Sequence, residues 1–213
     1  MTNKSKNSNL LVIMFQKIMM YITILVSACI CILQPTITFS SPLSETEIKS
    51  QLLEIQRDKN TQPNLLEILL LVSKHWDPSL NLTLLKEETE KLTLAVQKKL
   101  IEQNNPADIV RVLRSVIHDE AGYSYTNQVD EKGFPINSEE LFLHGLLRTR
   151  KGYCMNLSLL YLILGQKLRI PLYGVALPNH FFVRYEKAGL EINIETTEGG
   201  VSYPNAFYQQ RFG

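Results

Sequence analysis

The sequence predicts an α+β protein, with helices first and a small antiparallel sheet last. Three observations carry this. From residue 43 to about 121 the apolar residues recur at helical spacing, and after Pro171 the period becomes alternating. The segments LYGVAL, HFFVRY and LEINIE are short and rich in β-branched and aromatic residues, as strands are. With 213 residues, 45% of them hydrophobic, the chain can pack one ordinary core; it is too short for two large domains and too apolar to be disordered.

Residues 1–40 stand apart from the fold. Up to Ser40 the only charged residues are Lys4, Lys6 and Lys17, and the run IMMYITILVSACICIL from Ile18 to Leu33 carries no charge. A basic lead before a short apolar stretch is the layout of a secretory signal, because the basic residues stay in the cytoplasm while the apolar stretch inserts. The segment is therefore expected to be a signal peptide or an N-terminal membrane or lipoprotein anchor. Val26-Ser27-Ala28-Cys29 resembles a bacterial lipoprotein processing box, with Cys29 the lipidated residue. Thr38 and Ser40 suit ordinary cleavage before Ser41, and the stretch extended toward Phe39 approaches the ~20 residues that an uncleaved anchor needs. All three routes place the body outside the cytoplasm, exported to a periplasmic or other extracytoplasmic space, with the membrane as a partner of the N-terminal segment.

A helical region is expected over 41–121. Ser44-Glu45-Thr46-Glu47 forms a capping box before Ile48, Leu52, Leu53 and Ile55. Pro63 opens a second helix, NLLEILLLVSKHW, which Asp77-Pro78 stops. A third runs from Ser79 to Glu102 with Leu84, Leu85, Leu92, Leu94, Val96 and Leu100 as its apolar stripe. Pro106 sits just inside a fourth, where Ile109, Val110, Leu113, Val116 and Ile117 keep helical spacing.

Residues 122–213 are expected to form the core that carries chemistry. It starts with a polar loop, GYSYTNQVDEKGFPIN, and a helix SEELFLHGLLRTR that ends near Lys151-Gly152, where basic residues suit a C-terminus and Gly a cap. A further helix, CMNLSLLYLILGQKL, begins at Tyr153 or Cys154 with Leu157, Leu160, Tyr161 and Leu164 as its buried stripe. The strands follow, the second and third joined as a hairpin through EKAG.

Charge and cysteine usage narrow the function. Lys plus Arg number 22 and Asp plus Glu 21, so no basic excess exists to hold a nucleic acid. Without the three leader lysines the body carries 19 basic against 21 acidic residues, a charge of −2. Cys29 and Cys31 lie in the leader, which leaves Cys154 as the thiol of the body. A lone thiol in an exported domain is either buried and inert or kept for chemistry.

Cys154 opens a helix, where free N–H groups and the helix dipole favour a thiolate, and Arg148, Arg150 and Lys151 just upstream add positive charge. His180 shares a strand face with Phe182 and Arg184, and Glu195 shares one with Asn193 and Glu191. If Lys187 and Ala188 centre the turn, His180 faces Glu195 directly and Arg184 faces Glu191; a bulged turn at Gly189 shifts the register by one and makes Glu195 a neighbour of His180. Cys154, His180 and Glu195 contain no short-spaced ligand pair, so no metal is expected. His75 and His118 suit helix ends or solvated faces, and His144 a partly exposed structural position. Tyr153, Asn179 and Arg184 either line the cleft or serve packing, a turn and an ion pair respectively. Asn81-Leu82-Thr83 and Asn156-Leu157-Ser158 fit the glycosylation pattern, the second inside an apolar helix.

From about Asp108 through Gly200 the sequence resembles the bacterial transglutaminase-like superfamily, specifically the SirB1 N-terminal domain group, on the residues LHGLLRTRKGYCMNLSLLYLILGQKLRIPLYGVALPNHFFVRY and NIETTEGG. The resemblance implies a papain-like core in which a cysteine opens a helix while a histidine and an acid lie on adjacent strands. Carried across, Cys154 in GYCMNLS is the nucleophile, His180 in PNHFFVRY the general base, and Glu195 in NIETT the acid that orients the histidine. Many members of the group lack the cysteine, which this chain keeps, and related enzymes more often carry aspartate as the acid. The implied activity is cleavage or transfer of an acyl group at an amide or peptide bond of a protein or peptide substrate, without a cofactor. A binding or scaffolding domain with a vestigial triad is the alternative. Members often continue into helical repeats, so a chain that stops after NAFYQQRFG is expected to be a fragment or a shortened product.

Overall fold

The computed structural model describes residues 45–55, 63–101, 103, 105–131 and 135–212; the leader, with its lipidation and cleavage readings, and Ser44 of the expected capping box lie outside them. The helical region comprises α1 (Glu45–Ile55), α2 (Leu65–Trp76), α3 (Leu82–Leu100) and α4 (Pro106–Arg114). Asparagines open the last three: the side chains of Asn64, Asn81 and Asn105 accept from the N–H groups of Glu67, Thr83 and Ala107, two or three residues on. The third helix therefore starts at Leu82 rather than Ser79. Ser79 is held in a turn by Asp77, whose carboxylate accepts from its N–H at 2.9 Å and its hydroxyl at 2.6 Å.

The stripe expected on α3 is buried only in part. Leu92 and Val96 enter the core, but Leu84 and Leu94 are 60% and 55% exposed. Thr89 and Thr93 take inward positions instead, their hydroxyls donating to the carbonyls of Leu85 and Thr89. A hydroxyl bonded to the preceding turn enters a core without leaving a polar atom orphaned. On α1, Ile48 is buried while Leu53 faces solvent. Beyond Arg114, α4 widens into a π-helical turn, Ser115–Glu120.

The polar loop contributes structure of its own. Its residues Ser124–Tyr125 form β1, which pairs in parallel with β2 (Lys151–Gly152). That pairing, and Arg150 in the left-handed region at φ 61°, end the preceding helix earlier than expected. The segment expected as one helix from Ser138 is two: a 3-10 turn, Ser138–Leu141, and α5 (Leu143–Thr149), separated by an extended Phe142. The turn folds back so closely that a Cβ at Gly145 would overlap the backbone of Glu139.

Helix α6 (Cys154–Leu168) is buried from Asn156 through Gly165, on every side rather than along one stripe. A helix apolar all round belongs at the centre of a core. Helices α2, α3 and α5 pack on it, and β3 (Leu172–Leu177) and β4 (His180–Lys187) pack against it from the sheet, which β5 (Leu190–Ile194) completes in the antiparallel order β3-β4-β5. One core runs from Leu66 and Leu70 through Leu113, Ile117, Leu146, Leu157 and Leu160 to Val183 and Ile194. The class is α+β, as the periodicity predicts.

The β4–β5 register differs from both expected ones. Ala188 and Gly189 centre the turn with φ of 53° and 83°, the two positive values of a type I′ hairpin turn. Lys187 then faces Leu190 and Arg184 faces Asn193. This displaces the pairing by two residues from the direct register. A shift of two keeps every side chain on its expected face.

After a 3-10 turn, Thr196–Glu198, the chain ends in a helix that the sequence reading leaves unassigned, α7 (Asn205–Phe212). No helix among the described residues is long and apolar enough to cross a membrane.

Candidate functional site

Cys154 is the first residue of α6, and Asn156 sets that start. The Asn156 Oδ1 accepts from the Tyr153 N–H at 2.6 Å, and its Nδ2 donates to the carbonyls of Glu140 at 2.7 Å and Phe142 at 3.3 Å. Gly152 leaves room for this cap, since a Cβ there would lie 2.6 Å from the same Oδ1. Buried and fully engaged, Asn156 is no modification site. The cysteine itself is half-buried. The upstream cations expected to act on it are bound elsewhere: Arg148 to Glu139, Arg150 to Glu88 at 2.5 Å, and Lys151 to the Ser124 hydroxyl at 2.7 Å.

His180 opens β4 and Glu195 follows β5. Their side chains are 8% and 2% exposed, and the imidazole Nε2–H donates to Glu195 Oε2 at 2.7 Å. The residues are not directly opposite, as the direct register had them. Continuing the observed register puts Glu195 level with Phe182, and it reaches His180 along the diagonal, the reach of a long side chain on the same face. The other Glu195 oxygen accepts from the Thr197 N–H at 3.1 Å and hydroxyl at 2.6 Å, so the carboxylate caps its own 3-10 turn. Arg184 follows the same logic: its Nε donates to Asn193 Oδ1 directly across at 2.7 Å, and its Nη1 meets Glu191 on the diagonal at 2.9 Å.

Cys154 lies within reach of the same imidazole and acts on it. With Nε2 taken by the carboxylate, Nδ1 is the ring nitrogen left for a further partner. Burial alone pushes the imidazole down, but the bonds to Cys154 and Glu195 and their charges outweigh it and raise the His180 pKa to about 9. Burial pushes the Glu195 carboxyl up, and the bonds from His180 and Thr197 overcome that and hold it below the ordinary carboxylate range. The three residues named from the sequence thus lie together, imidazole and carboxylate in direct contact and Cys154 within reach of the imidazole.

Other sequence-named residues divide between roles. Tyr153 lies beside Tyr125, ring centroids 5.6 Å apart, next to the cysteine, and burial raises its hydroxyl pKa to about 12. Asn179 is a turn residue with φ 54°. His144 is not partly exposed but 2% exposed, stacked on Phe142, and its pKa is lowered by burial. His118 takes the helix-end position of its two expected ones: it sits in the last turn, the π-helical one, bonds the Tyr123 carbonyl at 2.7 Å through Nδ1, and burial lowers its pKa. Among the described residues no group of His, Cys, Asp and Glu is placed to hold a metal ion.

Sequence reasoning misses three supports of the site. Thr197 holds the carboxylate, and Ser158 with Thr196 ties the elements together. The third is aromatic: Phe212 and Tyr208 of α7 stack over His180 and Phe182. The available signals are a serine one turn past the cysteine in an apolar helix and two aromatics four residues apart in NAFYQQRF.

A family model for the transglutaminase-like superfamily matches residues 84–211. Among curated proteins, F-box only protein 21 of Mus musculus and F-box only protein 21 of Homo sapiens are each 34% identical over 76 residues, which is 34% of this chain and 12% of those proteins. The chain therefore spans about 12% of the length of the curated relatives it matches. No solved structure matches it significantly.

Proposed function

The chain belongs to the transglutaminase-like superfamily, and on that footing we propose that it is an exported thiol enzyme that cleaves or transfers an acyl group at an amide or peptide bond. The observation that supports this most is the 2.7 Å bond between the His180 imidazole and the buried Glu195 carboxylate, with Cys154 at the start of α6 close enough to raise the imidazole's pKa.

In this reading the Cys154 sulfur forms a bond to the substrate carbonyl carbon, and the carbonyl π electrons move onto oxygen. The thiol proton already rests on His180 Nδ1, in keeping with the raised pKa of the imidazole. The Cys154 N–H, at the first position of α6 where the helix itself supplies no partner, donates to the developing oxyanion. When the tetrahedral adduct collapses, the carbon–nitrogen bond breaks, the amine leaves with the proton from His180, and a thioester remains. Water or a second amine then gives up a proton to His180 and attacks the thioester, which returns the thiolate and completes hydrolysis or transfer. Glu195 keeps Nε2 protonated throughout, so that Nδ1 is the nitrogen that exchanges protons. The glutamate serves where related enzymes more often have aspartate, its carboxylate held by the 3-10 turn that it caps.

Two measurements test the reading. Cys154 of the folded chain should be alkylated by iodoacetamide at pH 6 faster than in the urea-denatured chain, and a peptide and amine library should yield a product absent with Cys154→Ala. Equal alkylation rates and no product would leave a binding domain with a vestigial triad. The export proposal rests on the basic lead and uncharged run of residues 1–40. A fusion of residues 1–41 to alkaline phosphatase, which folds only where its disulfides form, should be active in a bacterial host; an inactive fusion would refute export.

A further inference from the structure

The reaction proposed above needs the His180 ring held between two partners, and it leaves the face of that ring unexplained. Phe212 lies flat on it, ring centroids 4.2 Å apart and planes within 4°. One helical turn earlier Tyr208 stacks on Phe182 at 3.9 Å and 15°, with its ring 6.4 Å from His180. Tyr208 is buried and Phe212 partly so.

Polar ties at both ends of α7 bring these rings to this place. At its start, Asn205 Oδ1 accepts from Arg184 Nη2 and from Asn193 Nδ2, both at 2.8 Å, which joins the helix to β4 and β5. Near its end Arg211 pairs with Glu198 at 2.9 Å, in the turn that Glu195 caps. The helix is docked on the strand that carries His180 and on the turn that carries Glu195. Its two aromatics, four residues apart, share one face.

We infer that Phe212 is a positioning residue for His180, its ring covering the imidazole so that Nε2 stays on Glu195 and Nδ1 on Cys154. An in-plane hydrogen bond to Glu195 fixes Nε2 but resists tilting of the ring poorly. A flat neighbour in van der Waals contact blocks tilt on that side and keeps water from competing for the 2.7 Å bond. The π face also attracts an imidazolium. The groups that face His180 are Glu195 from the end of β5, Cys154 from α6 and Tyr208 from α7, with the Arg211 guanidinium 5.6 Å from the Phe212 ring. Covering the ring disfavours its charged form while the π face favours it, so a titration midpoint is a poor readout of Phe212; access to the ring and reactivity of the thiol are better ones.

The test compares the full chain with Phe212→Leu, which keeps bulk without a ring, and Phe212→Tyr, which keeps the ring. Deuterium exchange at the His180 imidazole carbon and iodoacetamide labelling of Cys154 are read by mass spectrometry on the same samples, with thermal melts to verify folding. F212L should exchange faster and label Cys154 about tenfold more slowly, the scale of a small misplacement of a reacting group, and F212Y should behave as the unaltered chain. Unchanged exchange in F212L overturns the inference while leaving the proposed reaction standing. Accelerated exchange in F212L with a wild-type Cys154 no more reactive than in the denatured chain supports the cover and sinks the reaction.

Discussion

The Ser158 hydroxyl meets the Thr196 hydroxyl at 2.9 Å and reaches the Phe181 carbonyl at 3.3 Å. Ser158 lies one turn beyond Cys154 on α6, Phe181 follows His180 on β4, and Thr196 follows Glu195. One buried pair therefore joins the three elements that carry the site residues, each contact within a turn or a residue of one of them.

Removing that junction should be costly on one side and cheaper on both. Ser158→Ala leaves the Thr196 hydroxyl buried without its partner, a loss of about 1–3 kcal/mol. The double variant with Thr196→Val removes both polar groups and should lose less than the sum of the single changes. Urea unfolding of the four proteins measures this, and a strictly additive cycle would show that the hydroxyls do not interact.

Stability should vary with pH on both sides of the His180–Glu195 pair. His180 is raised from 6.5 to about 9, so its contribution is complete below 6.5 and is lost as pH climbs through 9. Glu195 is depressed from 4.5, so its contribution is present above 4.5 and is lost as pH falls through its folded value. The pair stabilises most between these limits. His180→Gln, which takes up no proton, should lack the alkaline decline in urea unfolding measured from pH 6 to 9.5; the same slope in both proteins would contradict the raised value.

Asn156 should tolerate neither truncation nor a charge. Asn156→Ala removes the Tyr153 cap and leaves two buried carbonyls short of a donor, a cost of roughly 2 kcal/mol. Asn156→Asp keeps the cap but turns a carboxylate oxygen toward the Glu140 and Phe142 carbonyls, so it should be the less stable of the two. Thermal melts at pH 7 rank the variants, and N156D at or above N156A would contradict the assignment of Oδ1 and Nδ2.

The hairpin turn offers a stabilising change. Ala188 is held at φ 53°, a left-handed conformation that costs an ordinary residue about 1–2 kcal/mol. Ala188→Asn creates the Asn-Gly pair that type I′ turns prefer and should recover up to ~1 kcal/mol, seen as a raised melting temperature. A lowered one would mean that the turn is not type I′ in solution.

The sequence by itself determined the class, a helix beginning at Tyr153 or Cys154, and the alternation that groups His180 with Phe182 and Arg184 on one strand and Glu195 with Asn193 and Glu191 on the next. Each follows from periodicity, which depends on the chain's own geometry: 3.6 residues per turn in a helix and two per repeat in a strand. Tertiary structure decided what periodicity leaves free. Alternation is blind to a shift of two, so only the Ala188-Gly189 turn, with a residue in a conformation its side chain disfavours, set the register and moved both pairs to diagonals. A threonine reads as polar until a preceding carbonyl is offered to it, which is why Thr89 and Thr93 entered the core while Leu84 and Leu94 did not. The aromatics of α7 announce a face but not its partner, because stacking has no sequence spacing. The ties of Asn205 to Arg184 and Asn193, and of Arg211 to Glu198, bring Phe212 onto the imidazole from across the fold.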